Sequence, residues 1–159
     1  MKDLIAIAEH IGARLKQRGD TIAVAESSTG GLISAALLAV PGASAYFIGG
    51  GVIYTGKARA ALLGLGSTLP DGMRPSTEPY AMMLARTVRQ ACGTTWGLAE
   101  TGATGPTGNR YGDAPGHSCI AIAGPADQAV TLETGNTDRA ANMRAFAARA
   151  LEELKKALV

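Results

Sequence analysis

Three hydroxyl residues and two glycines stand together in the stretch AESSTGG, between two apolar runs of the sequence. If the first run is a strand and the second a helix, Ser28, Thr29, Gly30 and Gly31 lie at a helix N-terminus. Unpaired amides and the helix dipole attract anions there, although the same residues also suit an ordinary Ser/Thr cap. A Walker phosphate loop is excluded because no lysine follows the glycines. The stretch therefore predicts either an anion-binding turn or a simple cap.

A second polar stretch, ETGATGPTGNRYGDAPG, begins at Glu100 and is rich in glycine and proline. A loop of this length after a strand is usually functional or disordered. In an open α/β sheet, such loops border the crevice where ligands bind. The two turns are therefore expected to face one cleft, the alternative being an irregular surface loop.

The histidines and cysteines offer little further chemistry. His10 falls in an amphipathic helix and His117 begins a strand, so both are interpreted as structural. Cys92 and Cys119 are too far apart in the sequence for a CxxC metal site and are expected to be reduced core thiols. No His/Cys/Asp/Glu grouping has metal-ligand spacing, and no metal is predicted.

The elements that must position these residues follow from hydrophobic periodicity and turn signals. We expect an amphipathic first helix, a strand in TIAVAE, a helix from Gly30, a strand from Tyr46 to Thr55, and helices from about 57 to 63 and about 77 to 91. A strand in TTWGLAET, a loop from Gly102 to Gly116, a hairpin formed by SCIAIAG and QAVTLET, and a closing helix complete the series. The closing helix presents Met143, Phe146, Ala147, Ala150, Leu151, Leu154 and Leu158 on one face. This order predicts a three-layer α/β/α sandwich with a mixed β-sheet, formed by residues 1–159 as a single domain.

Composition narrows the function classes. With 159 residues, 47% of them hydrophobic, the chain can bury one core. A net charge of +2, from scattered residues, does not favour nucleic acid as a partner. Charges interrupt the N-terminal segment, so we expect neither a signal peptide nor a membrane span, and we expect a cytoplasmic protein.

Taken together, AESSTGGLISAALLAVPGASAYFIGGGVIYTGKARAALLG, ETGATGP and GNTDR resemble the C-terminal domain of the CinA family. The family includes nicotinamide mononucleotide deamidases, which act in NAD metabolism. They hydrolyse the ligand's carboxamide to the acid and release ammonia. The resemblance therefore implies an amidohydrolase with a small mononucleotide substrate and no metal or organic cofactor. The glycine-rich apolar edges also suggest a homo-oligomer.

The resemblance assigns the catalytic roles by position. It implies that Ser44 is the nucleophile, although its surroundings match neither GxSxG nor SxxK. It implies that Tyr54 polarises the substrate or relays a proton. Arg139 would join the site, although the family's Gly-Asp-Arg spacing requires a two-residue insertion here.

The same resemblance implies a substrate-binding set in the two polar turns. Its hydroxyls and amides would contact the phosphate or the developing oxyanion. The residues expected to bind substrate are Ser28, Thr29, Gly30, Gly31, Glu100, Thr101, Gly102, Gly105 and Arg139.

The chain departs from the family at one catalytic position. Arg59 stands where the family has a lysine, five residues after the tyrosine. A desolvated lysine can lose its proton and activate a serine, whereas arginine stays charged. Three outcomes remain open: Lys57 rotates into the site, Glu100 supplies the base, or the protein binds a nucleotide-like ligand and catalyses nothing.

Overall fold

The computed structural model describes residues 1–159, which form five helices and five strands. The helices are α1 (Lys2–Arg18), α2 (Leu32–Leu38), α3 (Gly56–Leu63), α4 (Glu78–Cys92) and α5 (Arg139–Ala157). The strands are β1 (Ile22–Glu26), β2 (Phe47–Val52), β3 (Trp96–Ala103), β4 (His117–Ala123) and β5 (Gln128–Glu133). A short 3₁₀ turn, Ala43–Ala45, precedes β2.

The five strands form one sheet in the order β2-β1-β3-β4-β5. β1 lies parallel to both β2 and β3, and β3, β4 and β5 run antiparallel. One apolar cluster joins α1, α2 and α5 to one face of the sheet, and a second joins α4 to the other face. The predicted three-layer α/β/α sandwich with a mixed sheet is confirmed.

The two faces of the sheet are filled differently. The face under α1, α2 and α5 buries large side chains, among them Trp96 and Tyr46. The face under α4 is lined mostly by alanines. Gly97 explains the close fit, because a Cβ there would lie 2.1 Å from the carbonyl oxygen of Ala85 in α4. Small residues on β3 therefore let the backbone of α4 approach the sheet.

Trp96 marks the amino-terminal edge of the parallel strands. It is 1% exposed and begins β3. Its indole N–H donates to a carboxylate oxygen of Asp20 at 3.0 Å, just before β1. This hydrogen bond satisfies the only polar atom of the indole ring, so the side chain can be buried without cost to its N–H.

Several element boundaries differ from the sequence prediction, and β2, for example, ends at Val52 and not at Thr55. α2 begins at Leu32 and not at Gly30, because Gly30 and Gly31 adopt left-handed backbone angles with φ of 64° and 100°. β3 continues through Ala103, where a loop was predicted, because Thr101 to Ala103 pair with the start of β4. No helix has the combination of length and apolar content needed to cross a membrane.

Candidate functional site

A cleft with a volume of about 800 Å³ opens at the carboxyl ends of the parallel strands. Ser27 reaches it from β1, residues 53 to 56 from β2, and Thr101 and Gly102 from β3. Segments 67–76 and 109–111 form its sides. This is the edge of an open α/β sheet where ligands bind.

The strand-to-helix turn is closed by a carboxylate of the chain itself. Glu26, at the end of β1, accepts the amide N–H of Gly31 at 2.9 Å, of Ile33 at 3.0 Å and of Ser34 at 2.7 Å. Of these three residues, only Gly31 belongs to the turn whose amides were expected to be free. Glu26 already supplies its N–H with the anion that the helix dipole favours, so this amide is occupied within the chain.

Glu100 of β3 completes the closure from the opposite side. Its carboxylate is fully buried and accepts the N–H of Ser27 at 3.2 Å and of Thr29 at 2.9 Å. It also bonds the hydroxyl of Ser28. Burial raises the pKa of Glu100, and these hydrogen bonds offset the rise only in part. Glu100 is not among the residues that line the cleft, so it clamps the turn to β3 and is not positioned to act as the missing base.

Three of the predicted site residues do meet at the rim of the cleft. Arg139 donates to the hydroxyl of Tyr54 at 3.2 Å and to the carbonyl of Gly105 at 2.8 Å. Tyr54 lines the cleft, and its side chain is 59% exposed. Arg139 therefore lies beside Tyr54 and Gly105, despite the two inserted residues that precede it in the sequence.

Ser44 lies at the other end of the sheet. It belongs to the 3₁₀ turn that precedes β2, beside the start of β1, where the N–H of Ile22 donates to the carbonyl of Tyr46 at 2.8 Å. Tyr54 follows the far end of β2. At about 3.3 Å per residue, β2 separates the two sides by about 17 Å. Within one chain, Ser44 and the cleft do not come together.

Arg59 is the most unusual residue of the cleft. Its side chain is 4% exposed and donates to the carbonyls of Gly66 at 3.3 Å and Ser67 at 2.8 Å, and to the hydroxyl of Tyr80 at 3.2 Å. None of its partners is a carboxylate. Lys57, one of the proposed substitutes, is exposed on α3 and does not line the cleft.

Sequence analysis missed a polar wall formed by two loops. Asp113 accepts both terminal nitrogens of Arg74, at 2.7 and 3.0 Å, and the side-chain amide of Asn109 at 2.8 Å. These bonds with Arg74 hold the pKa of Asp113 below its usual range. The guanidinium groups of Arg74 and Arg110 lie 5.3 and 5.1 Å from the ring centre of Tyr111. The only signal in the sequence was the cluster of Arg, Tyr and Asp among glycines.

Ser76, at the base of this wall, has an uncommon backbone conformation. Its φ is 60°, the left-handed region that non-glycine residues rarely adopt. Its N–H donates to the hydroxyl of Thr101 at 3.2 Å, and its carbonyl lies 2.8 Å from Nε2 of His117. Ser76 lines the cleft, so His117 contacts the cleft wall from behind.

An open α/β sandwich with a polar cleft at the carboxyl ends of its parallel strands defines the class: a three-layer α/β domain with a mixed sheet. Within that class, residues 4–158 match the model of the CinA C-terminal domain. The chain belongs to the CinA C-terminal domain family.

Relatives by sequence include a CinA-like protein of Myxococcus xanthus, 39% identical over 162 residues. Another, from Desulfosudis oleivorans, is 36% identical over 156 residues. The matches cover 99% and 98% of this chain but only 38% of each relative, so the chain spans little more than a third of their length.

Solved structures share the fold. A competence/damage-inducible protein of Agrobacterium tumefaciens superimposes with a TM-score of 0.89 and 28% identity, covering 98% of this chain and 95% of that one. A CinA superfamily protein of Klebsiella pneumoniae has a TM-score of 0.90 at 21% identity, covering 98% and 97% of the two chains. The sequence-based recognition of the family is confirmed.

Proposed function

We propose that the chain binds a small anionic mononucleotide of the pyridine type in the cleft and turns it over slowly or not at all. The observation that carries this proposal is the buried guanidinium of Arg59, which has no carboxylate partner. Buried charges in proteins are normally paired, because removal from water is costly. Three hydrogen bonds leave two of its five N–H donors for a ligand anion.

The rest of the cleft supports an anionic, planar ligand. Arg74 and Arg110 add two guanidinium groups, against one lining carboxylate, Asp71. Tyr54 lines the same cleft and is 59% exposed, so its ring offers an aromatic face on which a planar base or pyridine ring can stack. Arginine forks match phosphate and carboxylate geometry. Arg74 is already paired with Asp113, whereas a neutral ligand would leave Arg59 and Arg110 without a compensating charge.

Slow turnover follows from the chemistry of the same residue. A guanidinium can orient or stabilise a substrate, but at neutral pH it does not accept a proton from a nucleophile. Neither Lys57 nor Glu100 lines the cleft to replace it. The family's lysine-dependent deamidation therefore lacks its base in this chain.

Binding is tested by calorimetry with nicotinamide mononucleotide and, separately, inorganic phosphate. Arg59→Gln is expected to weaken mononucleotide binding by roughly 10- to 100-fold, the range for losing a charged hydrogen bond. Arg86→Gln is the matched control, since Arg86 is exposed and paired with Asp127 outside the cleft. Equal affinity in wild type and Arg59→Gln, or no mononucleotide binding by wild type, would refute the proposal.

Deamidation through Ser44 is a second candidate, and its geometry requires a second copy of the chain. Five of the seven exposed large hydrophobic side chains lie on β2 or the segments before and after it: Leu38, Ile48, Val52, Tyr54 and Leu62. No charged residue occurs between positions 41 and 56, although free edge strands usually carry charges that prevent pairing. Antiparallel pairing of two β2 strands would bring Ser44 of one copy to the Tyr54 end of the other.

Complementation between a double variant and the wild-type chain tests this candidate. The double variant carries both Arg59→Lys and Ser44→Ala. Each alone is expected to release little ammonia from nicotinamide mononucleotide. Mixed oligomers would contain sites with the restored lysine from one copy and Ser44 from the other, so mixing should produce activity.

The control for pairing is Ile48→Lys, which places a charge on the exposed edge of β2. It should leave a monomer in analytical ultracentrifugation and prevent complementation. Ammonia release by the Arg59→Lys chain as a monomer would rule out a shared site. A wild-type chain that is already a fast deamidase would show that another base is at work.

A further inference from the structure

Both ring nitrogens of His117 face oxygen atoms that can only accept a hydrogen bond. Nδ1 contacts the carboxylate of Glu133, and Nε2 lies 2.8 Å from the backbone carbonyl of Ser76. A neutral imidazole has only one N–H, so its other nitrogen, itself an acceptor, would face an acceptor oxygen with no proton between them. An ionised Glu133 therefore requires a proton on each nitrogen of His117, which makes the ring a cation.

The groups that face this ring come from every element around it. Besides Glu133 on β5, the carboxylate of Asp113 in the preceding loop lies 3.8 Å from Nε2. On β4, the thiol of Cys119 lies 3.6 Å from Nε2, and it also contacts Thr131, whose hydroxyl donates to Glu78 of α4 at 2.7 Å. Burial of the imidazole acts to lower the pKa of His117, but the bonds to Glu133 and Ser76 and the charge of Asp113 outweigh it, so the pKa is raised.

The cation contacts both walls of the cleft from behind. On one side it holds the carbonyl of Ser76, the lining residue with the left-handed backbone. On the other side it lies near Asp113, which fixes the lining residues Arg74 and Asn109. Ser76 and Asp113 are far apart in sequence, and His117 is the side chain next to both.

We propose that His117, protonated on both nitrogens, is a positioning residue that holds Ser76 and Asp113 in the arrangement that binds the anionic ligand. The ligand, and with it this effect on affinity, rests on the proposed function. When the ring loses a proton, either Glu133 loses its donor or the carbonyl of Ser76 keeps only the thiol of Cys119, at 3.5 Å, and the attraction for Asp113 disappears. Ligand affinity is then linked to the proton on His117.

The direction of the linkage follows from the raised pKa. The folded protein holds the proton on His117 more tightly than the unfolded chain does. The contribution of protonated His117 to stability and to ligand affinity is therefore complete below a pH of about 6.5. It is lost as pH rises through the folded-state pKa. The ligand's own phosphate, whose second pKa is about 6, changes affinity in the opposite direction. That effect cancels when two proteins are compared at each pH.

The binding test measures the dissociation constant of nicotinamide mononucleotide for wild type and His117→Gln from pH 5.5 to 9. Glutamine occupies the site without titrating. Wild type should bind about tenfold more tightly than the variant at pH 6, the size expected for a hydrogen bond to a charged group, and equally at pH 9. Glu133→Gln, a change at a half-exposed side chain, should move the midpoint of the wild-type profile to lower pH. A constant ratio across pH would overturn the proposal.

A second measurement, on the free protein, keeps this inference separate from the proposed function. Nitrogen-15 NMR should show two protonated ring nitrogens in His117 at pH 6, with the amide of Ser76 shifting at the same midpoint. His10, which is exposed, is the internal control. A single N–H in His117 at pH 6, or a Ser76 amide that does not follow the titration, would refute the positioning role. If no mononucleotide binds at any pH, the proposed function fails, and this NMR coupling alone decides whether His117 holds Ser76.

Discussion

Replacing Phe146 with alanine is expected to lower the free energy of unfolding by about 3 to 5 kcal/mol. Phe146 lies on α5, and its side chain is fully buried. Truncation removes apolar contact area and leaves a cavity that the helices on either side cannot easily fill. In a domain of this size, the melting temperature should fall by roughly 6 to 20 °C.

Phe47, the only other phenylalanine, gives a matched comparison. It lies half-buried at the start of the edge strand β2 and packs against the apolar cluster under α1, α2 and α5. Phe47→Ala should therefore cost clearly less than Phe146→Ala when both are measured by urea denaturation. Equal losses, or an unchanged transition for Phe146→Ala, would show that α5 is not a core element.

Replacing Glu26 with alanine is expected to cost on the order of 4 kcal/mol. Its carboxylate accepts the N–H groups of Gly31, Ile33 and Ser34 and lies 2.8 Å from the hydroxyl of Thr29. Without it, several donors at the start of α2 lose their acceptor at once, and unpaired buried donors are costly. The favourable charge at the helix N-terminus also disappears.

Two further variants distinguish the loss of the Glu26 hydrogen bonds from the loss of an ordinary surface carboxylate. Glu26→Gln keeps one acceptor oxygen and should lose about half as much stability. Glu152→Ala removes an exposed carboxylate whose nearest cation, Lys155, is 3.7 Å away, and should change stability by less than about 0.5 kcal/mol. A loss from Glu26→Ala no larger than that from Glu152→Ala would mean that water replaces the carboxylate without cost.

The architecture was predictable because its signals are local. Apolar residues at helical spacing mark α1 and α5, and Pro125 to Asp127 mark the turn between β4 and β5. Alternation of strands and helices then leaves few ways to cover both faces of a sheet. The boundary errors at Gly30 and Thr101 arose where left-handed glycines delayed a helix and where a neighbouring strand extended a ladder.

The site was less predictable because its contacts join distant parts of the chain. Glu26 and Glu100 appear in the sequence as polar residues at strand ends, and nothing local shows that both carboxylates converge on one turn. The bond between Arg74 and Asp113 joins residues 39 positions apart, with α4 and β3 between them. Ser44 and Tyr54 are close in sequence, but the extended strand β2 carries them to opposite ends of the sheet. The catalytic role that the resemblance implies for Ser44 therefore stays a prediction.

The position of Trp96 gives the protein two separate optical signals. Trp96 is the single tryptophan, and it is buried at the amino-terminal edge of the parallel strands, opposite the cleft. Tyr54, Tyr80 and Tyr111 all line the cleft. Tryptophan emission therefore reports on the integrity of the sheet. Tyrosine absorbance and the quenching of tyrosine fluorescence report on occupancy of the cleft. A ligand titration and an unfolding curve can thus be recorded in one cuvette without labels.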